Sequence, residues 1–174
     1  MGRHVGWIAL HSGMAAGAHA ILIPEVRTPM SQVAEWVTQV RDKGRSPLVV
    51  VAEGFVPEGL DDPLAAAGNA KDGRPRLGGI GDWVAREIED MTGVESRATV
   101  LGHIQRGGDP TATDRVLSTR FGMQVMKLVA ERRWGQMVAA NGTEIISVPM
   151  SAALSGLKEV PLERYEEAKV LFGR

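Results

Sequence analysis

The stretch Ala20–Ala52, AILIPEVRTPMSQVAEWVTQVRDKGRSPLVVVA, decides the fold class. Its first residues, Ala20-Ile21-Leu22-Ile23, form a short apolar run stopped by Pro24, the pattern of a buried parallel strand. Ser31 then offers an N-cap. Val33, Trp36, Val37 and Val40 recur at i, i+3, i+4 and i+7, the spacing of one helix face. Gly44 is placed to end that helix. Leu48–Ala52 (LVVVA) is apolar and mostly β-branched, and reads as the next strand. Upstream, Gly6–Ala16 reads as a helix with Val5, Ile8, Ala9 and Ser12 on one face. Helix, strand, helix, strand in that order predicts an α/β layered fold.

Downstream, Gly54–Leu77 gathers loop-forming residues (Pro57, Gly59, Pro63, Gly68, Gly73, Pro75) and reads as a long, partly mobile excursion. Ile80, Trp83, Val84, Ile88 and Met91 mark a third amphipathic helix, and Thr99-Val100-Leu101 a third strand. A long helix is expected from about Thr111 to Glu131, with Leu117, Phe121, Val125 and Leu128 as its buried stripe. Strands near Met137–Ala140 and Ile145–Val148 are joined by Asn141-Gly142, a strong hairpin signal. Pro161 opens a last helix carrying Leu162, Tyr165 and Phe172.

Composition narrows the function classes. The chain has 174 residues, 44% of them apolar, enough to bury the core of an ordinary domain. Twenty basic and 21 acidic residues leave a net charge of -1. That balance gives no electrostatic reason to expect nucleic acid or an anionic membrane as a partner. Any bound anion must be held by a local cluster of basic groups. There is no cysteine, which excludes disulfides, thiolate metal sites and thiol nucleophiles. No run approaches the length that spans a bilayer, so a cytoplasmic location is expected.

The chemistry concentrates in glycine-rich loops. His103-Ile104-Gln105-Arg106-Gly107-Gly108 places an imidazole and a guanidinium three residues apart, followed by two glycines that let backbone approach a ligand. Arginine offers phosphate a planar fork of donors, and a nearby dianion draws histidine towards its charged form. Spacing alone leaves two readings open, an anion site or a tight surface turn with a packed histidine. Met1-Gly2-Arg3-His4 again sets a glycine beside basic groups at a helix start, where N–H groups face outwards. The strand that should present this loop does not precede it, so the start reads as cut. Glu53 ends a strand, where a carboxylate can accept hydrogen bonds from sugar hydroxyls or simply be solvated. Arg97 alone reads as a solvated arginine. No carboxylate is placed to complete a metal site with His4, His11 and His19, so no metal ligand is assigned.

Together these segments resemble the 6-phosphofructokinase family. RATVLGHIQRGG (Arg97–Gly108), followed by Asp109-Pro110-Thr111 and Asp114-Arg115-Val116-Leu117, is similar to its signature region. MGRHVGWIAL resembles its MGR loop and helix, GAHAILIPE (Gly17–Glu25) and VVVAEG (Val49–Gly54) its next two strands. The tail Val160–Tyr165 resembles that of actinobacterial members. The resemblance implies a three-layer parallel α/β fold of which the N-terminal nucleotide-binding half is absent. Residues 1–104 would form most of a sugar-phosphate-binding domain. Residues 105–155 would cross to the nucleotide domain, leaving the apolar face of the long helix partly exposed, and residues 156–174 would return.

The implied activity is phosphoryl transfer from ATP, or pyrophosphate in some members, to the 1-hydroxyl of fructose 6-phosphate in glycolysis. By the same resemblance His103 and Arg106 hold the 6-phosphate, and Arg97 reaches that phosphate in the neighbouring subunit of a homo-oligomer, tetramer or dimer. Met1, Gly2 and Glu53 contact the fructose hydroxyls, and Arg3 lies by the phosphoryl group in flight. Mg2+ and ATP or pyrophosphate serve the complete enzyme. The glycine-rich nucleotide loop and the Thr-Ile-Asp-Asn-Asp segment, with its aspartate base and part of the magnesium site, have no counterpart here. Lys43 and Arg45 fall in the family's effector-phosphate region, where His19 replaces a magnesium-binding glutamate. The isolated chain is therefore expected to be inactive. The rival reading is a non-catalytic sugar-phosphate-binding or regulatory module, and the retained Arg3 argues against it.

Overall fold

In a computed structural model of the chain, residues 3–60, 65–69, 75–77 and 79–174 are described. The described elements run α1 (Trp7–Ala16), β1 (Ala20–Leu22), α2 (Met30–Asp42), β2 (Val49–Val51), β3 (Ala65–Asn69), β4 (Pro75–Leu77) and α3 (Ile80–Thr92). A 3-10 turn (Gly102–Arg106), α4 (Ala112–Ala130), β5 (Gln136–Asn141), β6 (Glu144–Pro149), α5 (Met150–Ala153) and α6 (Leu162–Lys169) complete them. They fall into two compact units, one running to Gly102 and including Lys158–Arg174, the other His103–Leu157.

The first unit is α/β, and its organising feature is the parallel pair β1–β2. Ala20 pairs with Val49, Ile21 with Val50 and Leu22 with Val51, with α2 as the crossover. The His19 N–H to Leu48 carbonyl bond (2.8 Å) and the Ala52 N–H to Leu22 carbonyl bond (2.9 Å) extend the ladder at both ends. Strand side chains alternate between faces, which explains why this run is apolar throughout. Ile21 and Ile23 face a cluster with Leu10 of α1 and Tyr165, Ala168 and Phe172 at the C-terminal end. Leu22 faces the opposite cluster with Val33 and Val37 of α2 and Ile80, Val84 and Ile88 of α3. Helices thus cover both faces. Each of these strand side chains is 0% exposed, and burial stabilises by about 1.5–3 kcal/mol per large aliphatic side chain.

Local details differ from the sequence reading for identifiable reasons. Ser31 does not cap α2. Pro29, at φ -67° and ψ 139°, does so, and its carbonyl accepts from Gln32 N–H (3.0 Å). The α1 face is Ala9, Leu10 and Gly13, while Ile8 is 47% exposed. That helix is apolar almost all round, so periodicity could not choose its face. Gly13 decides it, because a Cβ there would stand 2.7 Å from the Ile21 side chain. The Gly54–Leu77 excursion carries an antiparallel pair, β3 with β4; residues 61–64, 70–74 and 78 lie outside the described residues. Thr99–Leu101 is not a strand. Val100 is 76% exposed, and no described strand pairs with the run. Met91, placed on the apolar face of the third helix, is exposed; in the last helix Leu162 is exposed and Tyr165 buried, while Phe172 lies beyond its end.

In the second unit α4 packs on the antiparallel pair β5–β6. Thr111 caps α4: its Oγ1 accepts from Asp114 N–H (3.2 Å), and the Asp114 carboxylate accepts from Thr111 N–H (2.8 Å). The Thr111 hydroxyl, which also donates to Asp114 Oδ2 at 2.8 Å, and then the Thr111 N–H hold the Asp114 carboxyl below its usual pKa. The hairpin closes with Asn141 opposite Glu144, so its two-residue loop is Gly142-Thr143 rather than Asn141-Gly142. Gly142 takes φ 59°, as the first loop position of a primed turn requires. Of the expected α4 stripe, Leu128 is buried, Leu117 and Phe121 are half-buried, and Val125 is exposed.

Candidate functional site

Three groups of sequence-identified residues are brought together locally. The first is the 3-10 turn. In a 3-10 helix side chains at i and i+3 eclipse, so His103 and Arg106 share one edge of the Gly102–Arg106 turn. Left-handed glycines flank it, Gly102 at φ 54° and Gly108 at φ 97°, and the Gly107 N–H closes the turn on the Ile104 carbonyl at 2.9 Å. Both basic side chains are exposed. The arrangement offers one anion an imidazole and a guanidinium from the same side. Periodicity missed its local form: the turn emerges from an irregular segment, not from a strand end.

The second group joins Arg3 and the Glu53-Gly54 turn. Glu53 follows β2, half-buried, and Gly54 is buried. A Cβ at Gly54 would fall on the Arg3 carbonyl, so only glycine lets the two backbones meet. This close approach brings a guanidinium-bearing loop and a carboxylate-bearing turn to the end of β1–β2, where α/β folds place ligands. Met1 and Gly2, the other residues expected here, lie outside the described residues.

The third group is His19, Lys43 and Arg45. His19 is 7% exposed; its Nδ1 accepts from Leu48 N–H at 3.0 Å, which leaves the proton on Nε2. Burial holds its pKa below 6.5, and the charges of Arg45 and Lys43 lower it further. Lys43 Nζ donates to the Gly173 carbonyl (2.8 Å) and Arg45 to a backbone oxygen of Arg174 (3.0 Å). Arg97 stands on the surface of the first unit, paired with Glu95 Oε1 at 2.8 Å with both side chains largely exposed.

Two residues that sequence patterns did not single out also shape the site. Gly54 could be found only once β2 and the Arg3 loop were neighbours in space. Glu25 follows Pro24 beyond the end of β1, and its Oε1 accepts from Gly6 N–H and Val160 N–H, each at 3.0 Å. Among the described residues no group of three or more His, Asp or Glu could hold a metal ion, and no helix is long and apolar enough to cross a membrane.

Comparison with known proteins settles what these loops belong to. The phosphofructokinase family model matches residues 1–129, which include both glycine-rich loops and the Glu53-Gly54 turn. The chain belongs to the phosphofructokinase family. It is similar to the pyrophosphate–fructose 6-phosphate 1-phosphotransferase of Amycolatopsis mediterranei, 54% identical over 173 residues, 99% of this chain and 51% of that protein. It is also similar to the ATP-dependent 6-phosphofructokinase of Chloroflexus aurantiacus, 46% identical over 92% of this chain and 43% of that one. The chain thus spans about half the length of these curated relatives. Phosphofructokinase from Saccharomyces cerevisiae superposes with a TM-score of 0.68 at 28% identity, over 99% of this chain and 22% of that chain. A pyrophosphate-dependent phosphofructokinase from Marinobacter aquaeolei shares the fold, with a TM-score of 0.68 at 22% identity over 94% of this chain and 41% of that chain.

Proposed function

We propose that this chain is the C-terminal part of a 6-phosphofructokinase and supplies its fructose 6-phosphate site, the complete enzyme transferring a phosphoryl group from ATP or pyrophosphate to the sugar's 1-hydroxyl. The observation that carries this is the shared edge of His103 and Arg106 between two left-handed glycines, within the matched residues 1–129. Two basic side chains on one edge suit a terminal phosphate: guanidinium presents two parallel N–H groups, and an imidazole N–H adds a third donor. Arg97, on the surface, is proposed to reach the same phosphate in a neighbouring subunit, exchanging Glu95 for it. Glu53, with Met1 and Gly2, accepts or directs the sugar hydroxyls. Arg3 is proposed to lie against the phosphoryl group in transit, where a fixed positive charge stabilises the charge spread over its oxygens.

Magnesium, when bound in the complete enzyme, neutralises charge on the phosphoryl donor. The described residues do not fit such a site, and no step in this chain is routed through it. The family's base and donor loop belong to the half not represented in this sequence. We also propose weak or absent activation by a nucleoside diphosphate: buried His19 stands where a magnesium-binding carboxylate is needed, and Lys43 and Arg45 already hold backbone oxygens. The cytoplasm is the proposed location and a homo-oligomer the proposed assembly.

The test is Arg106→Ala in the complete enzyme. Charge-assisted hydrogen bonds are worth about 1.5–3 kcal/mol each, so KM for fructose 6-phosphate should rise about tenfold to hundredfold. Unchanged saturation by the sugar phosphate removes Arg106 from the site. The 174-residue chain alone should form no fructose 1,6-bisphosphate with either donor. Product that co-purifies with the chain and vanishes on Arg3→Ala overturns the division of labour proposed here.

A further inference from the structure

Glu25 follows β1 and Pro24, and one of its oxygens gathers two distant backbone N–H groups, Gly6 at 3.0 Å and Val160 at 3.0 Å. Gly6 is the N-cap of α1, a helix with no side-chain cap of its own and no acidic residue in its first turn. Helix starts leave N–H groups without intrahelical partners, and a negative charge there also complements the helix dipole. The missing cap therefore arrives through tertiary structure, from 19 residues further along the chain.

The second oxygen makes the choice of glutamate informative. Glu25 Oε2 is shut off from solvent and has no hydrogen-bond partner among the described residues. It faces Gly6, where a Cβ would stand 2.9 Å from it and would drive into the Ile23 side chain. Burying an unsatisfied carboxylate oxygen is unfavourable. A glutamine oxygen could accept the same two N–H groups, but its amide NH2 would then be buried unpaired where Oε2 lies. Through Oε1 the carboxylate ties the start of α1, three residues after Arg3, to the segment that follows β1. Past the end of β2, Gly54 lies so close to the Arg3 carbonyl that a Cβ there would collide with it. Arg3 is thus flanked by two tertiary contacts, one at its own carbonyl and one at the Gly6 N–H.

We infer that Glu25 is a positioning residue for Arg3, hooking the arginine's loop through the Gly6 N–H and tying it to the chain at Val160. The inference rests on the phosphoryl-transfer reading, in which Arg3 meets the transferring group. A misplacement of about 1 Å near the reacting atoms costs on the order of a hundredfold in rate. In the complete enzyme, Glu25→Ala should lower kcat about tenfold or more and raise KM for fructose 6-phosphate by less than that. Glu25→Gln, which keeps an acceptor oxygen, should recover part of the loss. Glu25→Ala combined with Arg3→Ala should be no worse than Arg3→Ala alone, because both act through one group.

Losses that add in the double variant, or a raised KM with unchanged kcat, overturn the inference. Should Glu25→Ala fail to fold, Glu25→Gln is read by the same kcat–KM division and the same double variant. If the unsubstituted enzyme converts no fructose 6-phosphate with either donor, the phosphofructokinase reading falls by itself. Amide exchange in the 174-residue chain then still decides the hook. Glu25→Ala should speed exchange at Gly6 and Val160 about tenfold or more while α4 amides are unchanged, and unaltered exchange at Gly6 sinks it.

Discussion

The two units of the chain use apolar residues in opposite ways. In the first, Ile21, Leu22 and Ile23 are each 0% exposed, sandwiched between α1 with α6 and α2 with α3. In the second, α4 buries one residue, Leu128, and leaves Val116, Met123, Val125, Met126 and Val129 exposed. What holds α4 in place is mostly polar or local: the Thr111–Asp114 capping box, a Gln124 Nε2 bond to Ser147 Oγ at 2.9 Å, and an Arg120 bond to the Thr143 carbonyl at 2.6 Å. The first unit draws its stability from removing apolar surface from water, whereas the second depends on helix caps and hairpin geometry. This contrast bears on the proposed roles, because His103 and Arg106 open the second unit and Arg3 and Glu53 belong to the first.

The contrast can be broken most forcefully at Leu22. Leu22→Ala removes a side chain packed between helices and should cost about 2–5 kcal/mol, read as early unfolding of first-unit amides by hydrogen exchange in denaturant. A loss below about 1 kcal/mol would mean that the sandwich is not the source of stability. Next come the ends of α4. Thr111→Ala should cost about 1 kcal/mol by removing the N-cap.

At the other end, Arg132 takes φ 53°. The Arg133 N–H bonds to the Leu128 carbonyl (2.9 Å) and the Arg132 N–H to that of Val129 (3.0 Å), a Schellman ending with arginine where glycine is preferred. Arg132→Gly should therefore stabilise the second unit by about 0.5–1 kcal/mol, seen as slower exchange in α4 only.

A titration sharpens the comparison further. His19 is buried in the first unit, its pKa held below 6.5 by burial and by Arg45 and Lys43. The unfolded chain takes up this proton near 6.5 and the folded chain only at lower pH, so acidification through that window favours unfolding. The first unit's midpoint of thermal unfolding should fall as pH drops below 6.5, and fall less in His19→Gln. An equal acid response in His19→Gln would assign the effect elsewhere. The smallest effect belongs to the exposed face of α4. Met123→Ser should change stability by no more than about 0.5 kcal/mol, and a larger loss would show that this face is covered in solution.

The buried parallel strand at Ala20–Leu22 was legible from its unbroken apolar run, and the α2 face at Val33, Val37 and Val40 and the α3 face at Ile80, Val84 and Ile88 from periodicity, because one buried helix face imposes one spacing. The family was legible from the Arg97–Gly108 segment and the Met1–His4 loop. The α1 face was not legible, since a helix apolar all round has no preferred side until Gly13 meets Ile21. Nor was the failure of Thr99–Leu101 to form a strand: β-propensity describes a residue, while a strand needs a partner across the ladder. The hairpin loop moved by one residue because register is fixed by pairing along both strands, not by the turn dipeptide alone.

By itself, then, the sequence determined the four longer helices and the strands of the β1–β2 and β5–β6 pairs, which residue types carry charge into the loops, and which family those loops resemble. These are local matters of spacing and chemistry. Tertiary structure alone decided that Gly54 must be glycine beneath the Arg3 carbonyl, that Glu25 caps a helix 19 residues before it, and that His19 is buried beside Lys43 and Arg45. Each of these depends on backbone groups far apart in the chain coming within contact distance, and no periodicity in one segment encodes the position of another.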